Sequence, residues 1–214
     1  MKPAQKASAS VLQGGLILAA LAAVCTAAVA MTHRYTAPLI EANEQAFLEA
    51  SLRPVLGGIE YTDSLSRSAV TLPAGNGLPG DRETTVYRVY ADGSAAAALF
   101  VVTANDGFAG PIQLLVGVRT DGRVTAVRVL KHQETPGLGD MIESRRSDWL
   151  LQFNGRSLAD PELAAWGVER DGGQFDQLTG ATITPRAVVK AVRDTLTWFA
   201  EQQQQLFALP EDDS

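Results

Sequence analysis

The sequence is poor in the side chains that bind transition metals and form disulfides. It contains one cysteine, Cys25, and two histidines, His33 and His132, among 214 residues. A single cysteine cannot form a disulfide within the chain. These few side chains also argue against a Cys/His metal site or an iron–sulfur centre held by this chain alone. No loop has the Asp-rich spacing of a carboxylate cation site, so we expect no metal centre.

Positive charge is also scarce. The chain has 18 Lys and Arg residues against 24 Asp and Glu residues, for a net charge of -6, and no basic cluster. Binding to nucleic acid needs a basic face, so the composition argues against nucleic acid as a partner. No Gly-x-Gly-x-x-Gly follows a predicted strand, and no paired acid and base candidates mark a substrate-converting site.

A long uncharged run is present near the N-terminus. Residues 11–31 would form a helix roughly 30 Å long, which matches the core of a bilayer. Lys2 and Lys6 precede the run, which favours a cytoplasmic N-terminus and an exported C-terminal domain. Ala28-Val29-Ala30 also fits a signal-peptidase site, so cleavage is the alternative. The length of the run favours a retained single-pass helix in the lipid bilayer.

The rest of the chain predicts one α+β domain. Pro38 opens a predicted helix to about Arg53 that could continue the membrane helix as a stalk, and residues 73–80 form a loop. Two hairpins that turn at Asp-Gly pairs give four predicted strands, residues 86–90, 97–103, 112–118 and 124–130.

Two helices are predicted after the strands. Asp140 is a candidate cap for a helix through Gln152, and a last helix runs from Pro185 to about Gln204. The expected fold is a single domain with a twisted, mainly antiparallel sheet backed by helices.

The segment DQLTGATITP, residues 176–185, is the most informative one. Thr184 is predicted as the N-cap of the last helix. Thr182 then lies just before a helix N-terminus, where N–H groups and the helix dipole favour an anion such as phosphate. Gly180 and Ala181 leave the backbone uncluttered, so a bulky group can approach the Thr182 hydroxyl. On spacing alone, an ordinary helix cap is the simpler explanation.

The same segment resembles the attachment motif of the FMN-binding domain family. In that family a flavin transferase reads an Asp, two residues, Ser or Thr, and then Gly-Ala-Thr, and esterifies the FMN phosphate to the last threonine. The matching residues here are Asp176, Thr179, Gly180, Ala181 and Thr182. The resemblance implies FMN held covalently by a phosphoester to Thr182, with Thr179, Gly180, Ala181 and Thr184 around it. Asp176 would serve recognition by the transferase, and a solvated loop aspartate is the alternative.

Two further segments resemble the same family. Residues 132–139, HQETPGLG, resemble its His-x-Glu-Thr-Pro-Gly-Leu-Gly loop, and residues 107–112, GFAGPI, resemble its Gly-aromatic-x-Gly-Pro-Ile entry into a strand. Glycine and proline permit a tight turn whose backbone comes close to a planar ligand. The candidate cofactor-binding residues of this loop are Glu134, Thr135, Gly137 and Leu138. A rigid turn without ligand contact is the alternative.

Other residues with suitable chemistry have simpler explanations. Glu134 either hydrogen-bonds near the flavin or fixes its own loop. His132 is expected at the surface at the end of a strand. Trp149 and Trp166 could stack on a flavin, but a tryptophan on the apolar face of a helix usually belongs to the core.

Within the family, the short anchor and the chain length most resemble the G subunits of Rnf-type ion-translocating electron transport complexes. This resemblance implies an electron-relay subunit with no catalytic residues of its own, bound to other membrane and peripheral subunits. The alternatives are the C subunit of a sodium-translocating NADH:quinone reductase, a flavin reductase with its own substrate, and a non-redox membrane-tethered binding module.

The sequence patterns and the resemblance together predict where each part of the chain lies, in a bacterial inner membrane. The expected parts are a cytoplasmic N-terminus (1–10), a transmembrane helix (11–31), a stalk helix and loop region (32–85), a periplasmic FMN-binding domain (86–204) and a polar C-terminal tail (205–214).

Overall fold

The computed structural model describes residues 4–59 and 68–208. Helix α1 spans Ala4–Val55 without interruption. The predicted continuation of the membrane helix beyond Pro38 is confirmed, although Pro38 lies inside the helix and does not open a new one. By their internal contacts, the residues form two compact units, Met1–Leu48 and Glu49–Ser214.

The first unit contains a helical stretch that is long and apolar enough to cross a membrane. It covers Gly14–Pro38, 25 residues with a mean hydropathy of 2.2, and none of it is buried within the protein. Leu16, Ile17 and Leu18 are among its exposed side chains. Exposed apolar surface of this extent is unfavourable in water, whereas a bilayer would cover it. The stretch overlaps the predicted span at residues 11–31.

The second unit is built on a five-stranded antiparallel sheet in which sequential strands are neighbours. Its strands are β1 (Ala69–Leu72), β2 (Thr84–Ala91), β3 (Ser94–Ala104), β4 (Ile112–Arg119) and β5 (Val124–Lys131). The four predicted strands and the α+β class are confirmed. Strand β1 was not predicted, because its four residues are too few to show a period.

The two faces of the sheet are covered differently, since side chains alternate along a strand. Helix α2 (Ile183–Ala208) packs on β3 and β4. Beneath it, Leu114 and Val116 belong to the main core. The opposite face carries Gly117, where a Cβ atom would lie 2.7 Å from Val55 Cγ1. The glycine therefore makes room for the last turn of α1, whose Val55 carbonyl accepts a hydrogen bond from Thr125.

The predicted helix from Asp140 through Gln152 is wrong. The segment forms two short 3-10 helices, Gly139–Ile142 and Trp149–Phe153. Between them the Ser147 hydroxyl donates to the Met141 carbonyl and accepts from the Trp149 N–H group. Such local bonds compete with the helical pattern.

Asp140 is not a helix cap either. Its carboxylate accepts a hydrogen bond from the Gly137 N–H group at 2.7 Å and pairs with Arg146 at 3.0 Å. This buried side chain therefore holds the turn at Pro136 and Gly137 in place.

The last helix begins two residues earlier than predicted, at Ile183. Thr184 is therefore not its N-cap but lies in its first turn, and Thr182 directly precedes the helix. Pro185 is tolerated at the third position because the first N–H groups of a helix have no partner inside it.

Trp149 and Trp166, which were considered for stacking on a flavin, lie in the core, as expected for tryptophans on an apolar face. Trp149 donates through its indole to the Asp176 carbonyl, and Trp166 to the Ser157 and Pro161 carbonyls. Both are buried.

Candidate cofactor site

The three motif segments, separated by up to 75 residues in sequence, meet at one cavity. Its volume is about 240 Å³. Its lining comes from the turn after β3, the loop after β5 and the start of α2, namely Phe108, Glu134, Thr135, Leu138, Gly139, Gly180, Ala181, Thr182, Ile183 and Thr184. Seven of these ten residues are predicted site residues. The fold thus brings the threonine of the Gly-Ala-Thr motif and the Glu-Thr-Pro-Gly loop to one place.

Glu134 links the three segments. One carboxylate oxygen accepts a hydrogen bond from the Ala109 N–H group at 3.1 Å, and the other accepts from the Thr184 hydroxyl. Its side chain is 4% exposed, so both oxygens are satisfied in a buried place. Glu134 therefore lines the cavity and ties its own loop to the other two segments, and a hydrogen bond near the flavin stays a prediction.

Glycines allow the segments to approach each other closely. A Cβ atom on Gly139 would lie 2.7 Å from Glu134 Oε2 and 3.1 Å from Thr184 Oγ1. At Gly180, which has a φ of +82°, it would lie 2.6 Å from Leu138 Cδ2. Leu138 therefore packs directly on the Gly-Ala-Thr loop, and a side chain at either glycine would push one wall of the cavity aside.

The mouth of the cavity is apolar and open. Phe108 is 65% exposed, and Leu138 and Ile183 are each 43% exposed. Large apolar side chains gathered in this way mark a surface that another molecule covers. Ile183 and Phe108 were not among the predicted site residues, although the aromatic position of the GFAGPI segment was a signal for Phe108.

These residues fit FMN on two counts. The apolar mouth suits the planar ring, and Thr182 at the start of α2 suits the phosphate, because helix N-termini favour anions. The cavity is smaller than the roughly 300–1,000 Å³ of typical small-molecule sites.

Among the described residues that line the cavity, three predicted site residues are missing: Gly137, Thr179 and Asp176. Gly137 has a φ of +80° and open space where a Cβ atom would lie, so the turn itself requires the glycine. Thr179 precedes the lining residues of its loop. Asp176 has an exposed side chain, while its backbone is held by Gln152 and Trp149. Their roles at the cofactor or in recognition stay predictions.

His132 is not the surface residue that the sequence suggested. Its side chain is 13% exposed and bridges the loop to Glu143, with Nε2 3.0 Å from the carboxylate. Its Nδ1 accepts a hydrogen bond from the Glu134 N–H group at 3.1 Å. The hydrogen bond with His132 lowers the pKa of Glu143 from its usual value; burial opposes this effect and Arg145 adds to it.

An exposed ion pair supports the start of α2 from outside. Arg186 donates two hydrogen bonds to the Asp171 carboxylate. These bonds lower the pKa of Asp171 and raise that of Arg186.

Comparison with known proteins agrees with this site. Residues 107–197 match the FMN-binding domain, and residues 1–55 match the RnfG N-terminal region. The crystal structure of Shewanella oneidensis NqrC is similar with a TM-score of 0.44 and 20% identity, covering 72% of this chain and 81% of that one.

Relatives of similar length match almost from end to end. The G subunit of the ion-translocating oxidoreductase complex of Vibrio cholerae is 43% identical over 94% of this chain and 96% of its own. The corresponding protein from Shewanella baltica is 40% identical over 93% of this chain and 94% of its own. The protein therefore belongs to the family of ion-translocating oxidoreductase complex G subunits.

Proposed function

We propose that the protein is an electron-relay subunit of a membrane-bound ion-translocating oxidoreductase complex, and that it carries electrons on FMN esterified to Thr182. When bound, FMN supplies reversible one-electron and two-electron chemistry. The chain supplies the attachment point, the apolar mouth and the dipole of α2. The observation that carries the proposal is the meeting of the three motif segments at one open cavity beside Thr182.

The attachment needs an activated phosphate. Esterifying free phosphate in water is unfavourable, and a flavin dinucleotide, whose phosphoanhydride bond can break, is a donor that meets this need. In this step the Thr182 Oγ would form a bond to the flavin-side phosphorus as the phosphoanhydride bond breaks, a base of the transferase would take the hydroxyl proton, and a nucleoside monophosphate would leave. A separate flavin transferase carries out this step: the one carboxylate among the residues that line the cavity, Glu134, already accepts two hydrogen bonds.

The anchor fixes where this chemistry takes place. Lys2 and Lys6 lie ahead of the apolar stretch, so the N-terminus stays in the cytoplasm and the flavin domain lies in the periplasm. The protein is a single-pass component of the inner membrane. Its partners are the other membrane and peripheral subunits of the complex, which pass electrons to and from the exposed mouth of the cavity.

Three alternatives are set apart from the proposal, one by the sequence match and two by the behaviour of the purified chain. The C subunit of a sodium-translocating NADH:quinone reductase would also carry the flavin, but the match to G subunits runs along nearly the whole chain. A non-redox tethered module would leave Thr182 unmodified and the protein colourless. A flavin reductase would turn over a soluble substrate in isolation.

Denaturing gels test the proposal directly. The full chain, produced with a flavin transferase, is expected to fluoresce under ultraviolet light after denaturation. Thr182→Ala should abolish this fluorescence, whereas Thr179→Ala and Thr184→Ala should retain a measurable part. Undiminished fluorescence of the Thr182→Ala chain would exclude Thr182 as the attachment site.

A further inference from the structure

Glu134 has more structural bonds than a ligand contact requires. Both of its oxygens are used inside the protein, one by the Ala109 N–H group and one by the Thr184 hydroxyl. Its own N–H group donates to His132. Ala109 follows Phe108 at the mouth of the cavity, and Thr184 lies two residues after Thr182. One carboxylate thus joins the mouth of the site to the helix turn beside the attachment point.

The surrounding glycines are consistent with a space reserved for this carboxylate. A Cβ atom on Gly107 would lie 3.0 Å from Glu134 Oε1, and one on Gly139 would lie 2.7 Å from Oε2. Gly107 lies in the segment after β3, and Gly139 lies in the same loop as Glu134. A side chain at Gly139 would meet the carboxylate first, whereas one at Gly107 would first overlap the Gly110 carbonyl.

Burying a carboxyl group costs free energy that hydrogen bonds must offset, and an apolar side chain would fill the same space more cheaply. A buried acid at this place is therefore better explained by the geometry it imposes than by stability. Its two acceptor atoms point in different directions, and each takes a donor from a segment that lines the cavity.

We propose that Glu134 is a positioning residue: it fixes the Phe108 turn against the first turn of α2, and so orients the flavin held at Thr182 without reacting with it. This inference rests on the proposed function. It predicts that the two links to Ala109 and Thr184, and not the negative charge, decide how the flavin is held.

Four variants of the full chain in detergent separate these effects. Glu134→Ala removes both links, and Thr184→Val removes one while keeping the shape. Glu134→Gln keeps both, because its amide oxygen can accept from Ala109 and its amide nitrogen can donate to the Thr184 hydroxyl. Thr195→Val is the matched control, since Thr195 is also buried in α2 but its hydroxyl donates to the Ala191 carbonyl of its own helix.

The first measurement is the visible circular dichroism of the flavin, expressed per bound flavin, which reports how the ring is held. Glu134→Ala and Thr184→Val should lose at least half of this signal, while Glu134→Gln and Thr195→Val should resemble the parent. Parent-like signals in both Glu134→Ala and Thr184→Val would overturn the inference. So would a signal in Glu134→Gln as weak as that in Glu134→Ala, because the charge would then matter.

The second measurement needs no flavin and uses the same changes in a Thr182→Ala background. Amide hydrogen exchange at Ala109, whose N–H group bonds to Glu134, and at residues 186–188, the first N–H groups that α2 itself can protect, should become at least tenfold faster with Glu134→Ala or Thr184→Val, and stay unchanged with Thr195→Val. Unchanged exchange at both places would refute the positioning role. A parent chain without covalent flavin would instead refute the proposed function, and the exchange result would still decide the inference.

Discussion

Adding one methyl group at Gly139 should disturb the cavity more than the same change at Gly137. A Cβ atom on Gly139 would lie 2.7 Å from Glu134 Oε2 and 2.9 Å from Glu134 Cβ. The backbone at Gly139 is not in the left-handed region, so the cost is steric. At Gly137 the φ is +80° and the space is open, so the cost is backbone strain alone.

The two substitutions should destabilise the protein to a similar degree. Overpacking of a buried site costs about 1–3 kcal/mol, and a non-glycine residue in the left-handed region costs about 1–2 kcal/mol. For a domain of this size each kcal/mol lowers Tm by about 2–4 °C. Both variants should therefore melt several degrees below the parent. Because their losses of stability are similar, a difference between their flavin signals reports the geometry of the site.

The assay combines thermal unfolding of the full chain in detergent with the visible circular dichroism of the bound flavin. Gly139→Ala should alter the flavin signal, because Glu134 must move away from Thr184. Gly137→Ala should alter that signal less, despite a similarly lowered Tm, because its Cβ atom would meet open space. Equal flavin signals in the two variants would refute the claim that Glu134 and Thr184 shape the site.

Three further predictions concern the domain and its anchor. Gly117→Ala should lower Tm by several degrees and leave flavin content unchanged, because the new Cβ atom would overlap Thr125 and lie 2.7 Å from Val55 Cγ1; an unchanged Tm would mean that the end of α1 does not dock there. The lowered pKa of Glu143 stabilises the fold above its ordinary value of 4.5 and loses that effect as the pH falls below it. Unfolding free energies of Glu143→Gln should accordingly decline less between pH 5 and pH 3 (roughly the range below the ordinary carboxyl pKa) than those of the parent, and parallel curves would contradict this. The intact mass of the mature protein should include the residues before Met31, whereas a chain that begins at Met31 would identify the apolar stretch as a cleaved signal.

The sheet could be predicted because its signals are local. Asp92-Gly93 and Asp121-Gly122 mark hairpin turns between β-rich runs, and both turns connect strands where expected. The continuous apolar stretch and the amphipathic last helix are local signals of the same kind.

The region after β5 could not be predicted in the same way. The apolar spacing of Ile142, Trp149 and Phe153 fits a helix. All three are buried, however, from two short 3-10 helices, which place them in the core just as one long helix would. The interruption depends on the side chain of Ser147 and on the pairing of Asp140 with Arg146, and neither partner choice is visible in sequence.

The sequence predicted most residues of the candidate site, but not the contacts between them. Motif resemblance selected Thr182 and Glu134, which the fold places at one cavity. It could not show that Thr184 donates to Glu134, because fifty residues separate them. The place of Ile183 at the mouth was missed for a different reason, because the predicted start of α2 was two residues too late.

The most direct test of the central claim is the mass of one peptide. Trypsin should release residues 171–186, which contain Thr179, Thr182 and Thr184. The account predicts that this peptide from protein matured with a flavin transferase carries the mass of FMN less one water, and that fragmentation places the addition on Thr182. An unmodified peptide, or an addition on Thr179 or Thr184, would contradict it.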